Sequence, residues 1–332
     1  MIRTLTANPS LDRSLELTAP LVPGGVHRIG GDALQVGGKG VNVARALDLA
    51  GARVEAIVPV GEHDEYRRLL AETDLPHRAS PVAGRVRTNL TVLSPTAPGT
   101  APVTTKLNEP GAAISSRELA ALEAAVLEHA GPGESVMLSG SLAPGFPEDW
   151  YARMVTALHA RGAWAGVDTS DAPLGALAAA WTQDPAAAPD LLKPNALELA
   201  QLTGLDGRAL SALEDSATKV SAADLGPIGE AAQDLRAQGV AAVLVTLGGA
   251  GAVLAAAEGT WFCPARADQV VSTVGAGDCA TAGYLLARTL GEDAPSALAR
   301  AVAYGSAAVA LPGTTIPRPD QVHVRTDAVR PL

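Results

Sequence analysis

Apolar positions along this chain follow two rhythms, and their alternation predicts the architecture. Residues 2–8 alternate with period two and read as an edge or first strand, while Val54–Val60 is an apolar run of strand length. Between them, residues 41–50 repeat at helical spacing and stop at Gly51, a residue suited to a helix C-terminus. Residues 64–72 also read as helix. From residue 116 the pattern becomes regular: helix 116–129, strand 135–139, helix 147–161, strand 163–168, helix 172–180, strand 190–193, helix 196–203, helix 228–238 and strand 240–246. Strands alternating with helices imply an α/β fold, a mostly parallel sheet covered on both faces. Two regions break the alternation. Residues 10–36 hold short strand-like pieces punctuated by Gly24-Gly25 and Gly30-Gly31, and 86–93 with 102–107 read as paired strands across the Pro95–Pro98 turn region. Together they predict a small separate β layer, a candidate lid. Residues 182–189 and 206–227 read as surface insertions, and no internal repeat is visible.

Residues 239–257 carry no charge over nineteen positions, the length of a membrane span. Gly248, Gly249 and Gly251 interrupt this stretch, so two short strands around a Gly-rich turn fit better. The first residues hold no long apolar run, so no secretory leader is expected and a cytoplasmic location is. A chain of 332 residues suffices for one large α/β domain or two small ones. Aromatic residues make up only 3%, which argues against a sugar cleft built on stacked rings. A net charge of −10 argues against general nucleic-acid binding, which needs a basic face. It does not exclude a phosphorylated ligand, for which a local cluster of Lys and Arg is enough. Cys263 and Cys279 show neither metal-ligand spacing nor a disulfide framework and read as reduced thiols. Arg3, Arg13, His27, Arg28, His63 and His77 read as solvated surface residues with no assigned role.

The most informative segment is Ser272-Thr273-Val274-Gly275-Ala276-Gly277-Asp278-Cys279, which opens the helix predicted over 279–290. Glycines at a helix start let backbone amides approach an anion, and the helix terminus adds unpaired donors. A carboxylate placed there either has a task, such as taking a proton from an attacking hydroxyl, or merely caps the helix in a tight turn. The segment also matches the loose G-x-G-x-x-A dinucleotide pattern. It lies far from a first strand–turn–helix unit, and its acid sits inside the loop, so a nicotinamide enzyme is disfavoured.

Five further segments lie at the ends of predicted strands. Gly37-Gly38-Lys39-Gly40-Val41-Asn42 resembles a P-loop only up to Val41, where Ser or Thr is required; it fits an anion or hydroxyl site, or a Gly-rich turn with an exposed Lys39. Asn8-Pro9-Ser10-Leu11-Asp12 ends the first strand, where Asp12 could accept bonds from two hydroxyls or serve as an ordinary turn residue. Lys193-Pro194-Asn195-Ala196-Leu197-Glu198 has the spacing of a capping box and also suits a magnesium-bound phosphate. Thr246-Leu247-Gly248-Gly249-Ala250-Gly251 and Ser139-Gly140-Ser141-Leu142 complete the set.

In this order the motifs resemble the PfkB (ribokinase-like) family of sugar kinases over essentially the whole chain. The phosphosugar branch is suggested by Thr6–Asp12, Gly84-Arg85-Val86-Arg87-Thr88-Asn89, Thr105–Gly111 and Ser139–Leu142. The resemblance implies a single kinase domain over 1–332, a three-layer α/β/α core, and lid segments at about 10–36 and 86–107 that double as a homodimer interface. It implies ATP as phosphoryl donor, Mg²⁺ as cofactor, and no nucleic-acid or membrane partner. The acceptor would be a phosphorylated ketohexose, with fructose 1-phosphate preferred and tagatose 6-phosphate or fructose 6-phosphate as alternatives. A non-catalytic sugar-phosphate sensor is the remaining rival. By the same resemblance Asp278 is the catalytic base, and Gly275, Ala276 and Gly277 form an anion hole. Asp12, Gly38, Lys39, Asn42, Arg87 and Ser139 bind the acceptor. Lys193, Asn195, Thr246, Gly248 and Gly251 bind nucleotide, and Glu198 reaches the metal through water. Cys279-Ala280 departs from the family pattern, which usually has Ser and a larger residue after the base.

Overall fold

The strands predicted from apolar runs join one ten-stranded sheet. The computed structural model describes residues 1–96, 103–214, 220–267 and 269–332. The chain runs β1 (Ile2–Thr6), β2 (Ser10–Leu17), β3 (Ile29–Gly37), α1 (Lys39–Leu49), β4 (Val54–Val60), α2 (Glu65–Ala71), β5 (His77–Pro81), β6 (Arg87–Ser94) and β7 (Val103–Asn108). It continues through α3 (Ser116–Leu127), β8 (Ser135–Ser139), α4 (Trp150–His159), β9 (Trp164–Asp168), α5 (Asp171–Gln183), β10 (Leu191–Leu192), α6 (Ala196–Thr203), α7 (Gly207–Glu214) and α8 (Ala222–Ala237). The last part holds β11 (Val243–Thr246), β12 (Gly251–Ala256), β13 (Gly259–Pro264), α9 (Ala276–Leu290), α10 (Ala294–Val309) and β14 (Arg330–Pro331).

The large sheet has the order β14-β13-β12-β11-β10-β9-β8-β1-β4-β5. From β5 to β11 neighbours are parallel, and β12 to β14 add an antiparallel flank. Successive side chains of a strand point to opposite faces, and the core divides accordingly. Ile57, Val136 and Leu138 pack on one face with Trp150, Tyr151, Leu158 and Trp181. Val58 and Met137 pack on the other with Val41, Leu47, Tyr66, Leu285 and Leu298. Strands such as β4 and β8 are buried on both sides, which is why they read as apolar runs, whereas β1, which alternates in sequence, is no edge strand but lies buried between β8 and β4.

The two regions outside the alternation form a second sheet, β3-β2-β6-β7, as expected. β2 pairs antiparallel with β3 and parallel with β6, and β6 pairs antiparallel with β7. Part of the predicted turn between β6 and β7 lies outside the described residues. The uncharged 239–257 stretch is the hairpin β11–β12, and no helix among the described residues is long and apolar enough to cross a membrane.

Four expectations are corrected. Residues 206–227 are not simply a surface insertion: they contain α7 and the start of α8, and both Leu210 and Leu225 are buried in the core. The helix expected over 228–238 begins earlier, because α8 starts at a Ser221 capping box and carries Pro227 inside. Residues 182–189 include a short 3₁₀ turn, and Ala187 and Ala188 are buried. Arg3 is not solvated. It is 4% exposed, with salt bridges to Glu55 and Glu134.

The 3₁₀ turn is tied down by His159 at the end of α4. Nδ1 lies 2.9 Å from the Ala186 carbonyl and Nε2 lies 3.1 Å from Asp190 Oδ2, so both ring nitrogens face acceptors and only the imidazolium can donate to both. The bond to Asp190 accordingly raises the His159 pKa. A raised folded-state pKa adds stability that is complete below the ordinary histidine range and is lost as pH climbs past the folded value. His159→Gln is therefore expected to lower Tm more at pH 5.5 than at pH 8.5; an equal loss at both would show that the proton plays no part.

Candidate active site

The predicted loops gather along one edge of the large sheet. β1, β8 and β9 end in register, with Thr6 opposite Ser139 and Ser139 opposite Asp168. Lys193 follows β10, and Thr246 ends β11, bridged to Asn195. Ligands of open parallel sheets bind outside these carboxyl ends.

Asp278 occupies the third position of α9. The helix is capped by Gly275 in the left-handed region (φ 80°), and no side chain closes its N-terminus. Asp278 is thus free of the capping duty that the sequence alone left open. Its Oδ2 instead accepts a 2.8 Å bond from Asn42 Nδ2 on α1, across the face between α1 and α9. The residue is 7% exposed. Burial, reinforced by the negative charge of Asp168, pushes its pKa up to about 6, against the opposing pull of Lys39, Asn42 and Lys193. The first-turn amides of Ala276, Gly277 and Asp278 lie at the helix terminus, where intrahelical acceptors are lacking. Ala276 N makes a long 3.4 Å contact with the Thr273 carbonyl.

Lys39 is neither exposed on a loose turn nor turned only toward a sugar. Its Nζ lies 2.7 Å from Asp168 Oδ1, and Lys193 Nζ lies 3.5 Å from the same oxygen. Lys193 Nζ would also stand 3.9 Å from a β-carbon at Gly277, beside the amide loop. Burial disfavours the Lys39 charge, but Asp168, Glu198 and Asp278 outweigh it and raise the pKa. Asp168 itself is held below the usual carboxylate range by the two lysines, although burial opposes its ionisation. Sequence reasoning missed Asp168; its only signal was its place at the end of a predicted parallel strand.

On the side of β10 and β11, Asn195 and Glu198 form the capping box of α6 that their spacing predicts. Glu198 is 7% exposed, and burial raises its pKa, with Lys193 opposing and Asp168 adding to the rise. Gly248 begins a 3₁₀ turn packed on the end of α7, where a β-carbon would stand 2.8 Å from the Glu214 carbonyl. Gly251 opens β12 with φ 123°, and a β-carbon there would collide with the Cys263 carbonyl of β13. The close strand approach by itself accounts for that glycine.

On the small-sheet side, Asp12 accepts from Ser10 Oγ at 2.8 Å and from Asn89 Nδ2 at 3.2 Å. Burial raises its pKa against those bonds and the charges of Arg87 and Lys106. The Asp12 carboxylate packs directly on Gly37, next to the Gly38–Lys39 corner that starts α1. Arg87, at the start of β6, donates to the carbonyls of Glu109 and Asn8, both at 3.2 Å, while its buried Nε has no partner among the described residues. Arg87, Asn8, Pro110 and Ser141 border a cleft of about 430 Å³. Ser139 is fully buried beside Asp168 and its Oγ has no partner among the described residues, so the seryl hydroxyl at the cleft is that of Ser141, bonded by Asn8 Nδ2 at 3.4 Å. Asn8 and Ser141 both lie within the strand-end motifs, but nothing in their spacing marks either as a ligand contact.

A three-layer α/β/α core, a small flanking sheet, and a buried carboxylate beside an amide-lined helix start define a sugar-kinase class of protein. The chain belongs to the pfkB family of carbohydrate kinases, whose profile matches residues 9–321. It is 32% identical over 340 residues to a 1-phosphofructokinase from Rhodobacter capsulatus, covering 100% of this chain and 98% of that one. It is 36% identical over 299 residues to a 1-phosphofructokinase from Xanthomonas campestris pv. campestris, covering 88% and 84%. Among solved structures, phosphofructokinase-2 from Escherichia coli in complex with substrates and products matches with TM-score 0.80 and 29% identity over 96% of each chain.

Proposed function

We propose that this protein transfers the γ-phosphoryl group of ATP to the free primary hydroxyl of a phosphorylated ketohexose, preferring fructose 1-phosphate. One observation carries the reading. Asp278 stands at a helix start without capping it, buried and held by Asn42, beside amides that lack helical partners. In that position it accepts the acceptor hydroxyl proton as the new P–O bond forms, while the Gly275, Ala276 and Gly277 amides receive charge on the transferring group. Asp12, Gly38 and Asn42 hold sugar hydroxyls, Arg87 with Ser141 in place of the buried Ser139 serves the acceptor's own phosphate end, and Lys193, Asn195, Thr246 and Gly248 serve the nucleotide. Lys39, through its contact with Asp168, reaches toward the nucleotide side as well as the sugar.

Among the described residues, no group of three or more His, Cys, Asp or Glu side chains could cage a metal. A Mg²⁺ carried in on nucleotide phosphates, touching the protein through water at the buried Glu198, fits this oxygen-poor donor set. When bound it would neutralise phosphate charge. The small sheet serves as lid and homodimer face in this reading, supported by exposed Leu34, Val103 and Leu107 on its strands. The setting is the cytoplasm.

A steady-state panel of ATP with fructose 1-phosphate, fructose 6-phosphate and tagatose 6-phosphate tests the acceptor. Fructose 1-phosphate should give the highest kcat/KM, and unphosphorylated fructose should be poor for want of a charge at Arg87. Preference for either 6-phosphate would reassign the acceptor within the same chemistry. No turnover with any of them would favour the sensor reading.

A further inference from the structure

Asp168 is one of the most deeply buried carboxylates of the structure, at 1% exposure. Only one of its two oxygens is held. Oδ1 meets Lys39 and Lys193, and Oδ2 has no hydrogen-bond partner among the described residues. A buried carboxylate with an orphaned oxygen is costly, and the contacts that offset this cost are those with its two lysine partners. The lysines come from opposite sides of the site, Lys39 from the Gly-rich corner of α1 and Lys193 from the loop after β10. Because they share one oxygen, their ammonium groups stand no more than about 6 Å apart, close enough to repel strongly without a charge between them.

We propose that Asp168 is the positioning residue that draws Lys39 and Lys193 to one point beside Gly277, so that the sugar-side and nucleotide-side loops present their cations to the same transferring phosphoryl group. Asp168 makes no contact with the reacting atoms; it acts through the lysines. The inference rests on the kinase reading of this site. Asp168 also acts on Asp278 at longer range. The charged groups acting on Asp278 are Asp168 from β9, Lys39 from α1 and Lys193 after β10, with Asn42 as its direct bond and the Cys279 thiol next in sequence. Removing the Asp168 charge leaves both lysine charges facing Asp278, so the base should ionise at lower pH.

The test compares Asp168→Asn, Asp168→Glu and Asp278→Asn in the full-length protein, with ATP and the best acceptor of the substrate panel. Asp168→Asn should lower kcat at least tenfold, leave the acceptor KM within twofold, and move the acid limb of the kcat/KM profile to lower pH. Asp168→Glu keeps the charge but displaces it, so kcat should fall while the acid limb stays in place. In a Lys39→Met background, Asp168→Asn should cost much less than in the parent, because the two act together; this cycle and Asp168→Glu remain decisive if the single Asn variant folds poorly. An unmoved acid limb in Asp168→Asn, or full additivity with Lys39→Met, overturns the proposal. If Asp278→Asn is inactive while Asp168→Asn behaves like the parent, only the role of Asp168 falls. If Asp278→Asn keeps most activity, the kinase reading of the site falls and this inference with it.

Discussion

Asp278→Asn is expected to lower kcat by roughly 10²–10⁴-fold, the usual share of general-base help, with ATP affinity little changed. The substitution keeps shape and removes one capacity, acceptance of the hydroxyl proton. The amide loop and the lysines remain, so nucleotide binding persists. The fold should not suffer. The pKa of Asp278 is raised to about 6, chiefly by burial, so the folded state binds its proton more tightly than the unfolded chain does. Stability contributed by this group therefore falls as pH rises from the ordinary carboxylate range through about 6, and the penalty is complete above that. An uncharged Asn escapes the penalty. Its Tm should match or exceed the parent's at pH 7.5, with the advantage vanishing near pH 4. In the parent, kcat/KM should rise with pH through about 6 as the base ionises. Retention of most turnover by the variant would reject Asp278 as base, and a flat profile from pH 5 to 7 would reject its ionisation as the controlling event.

The parts of this site readable in the sequence are those whose chemistry is local. A glycine pair before a helix, with an acid inside it, states its geometry within four residues, and Gly275–Asp278 appears where expected. The parallel sheet was legible because strands buried on both faces leave apolar runs, as at Val54–Val60. Asp168 was not legible. Nothing flanking it forms a motif, and its importance arises only when β9 pairs with β8 and brings it against lysines from two distant loops. α10 went unread for a different reason. Its alanine-rich sequence is buried over much of its surface between α9 and the antiparallel flank, and Ala, small on every face, draws little contrast between the two sides. β5 is a short, largely polar edge strand, His77–Pro81, with no apolar run to announce it. The capping box at Asn195 and Glu198 was readable and is present, which means that these two side chains already have structural work before any nucleotide arrives.

The second large effect is expected at the other end of the acceptor. Arg87→Ala should raise the acceptor KM with kcat within a few-fold, because the charge it would bind is present in both ground and transition states. A charge-assisted bond of about 1.5–3 kcal/mol corresponds to roughly a ten- to hundred-fold loss in kcat/KM. The geometry is prepared for such a ligand. The two terminal nitrogens of Arg87 are spread between the Glu109 and Asn8 carbonyls, which fixes the plane of the guanidinium at the edge of the cleft. Those are neutral acceptors. Burial consequently disfavours the Arg87 charge, with Asp12 the opposing influence, and an incoming phosphate would supply the missing counter-charge. Arg87→Lys should recover only part of the loss, since an ammonium cannot bridge both carbonyls and still present a second donor to phosphate. The decisive comparison is with an unphosphorylated sugar. Arg87→Ala should narrow the preference for the phosphorylated acceptor over fructose, whereas an unchanged preference combined with a raised KM for ATP would move the phosphate pocket elsewhere.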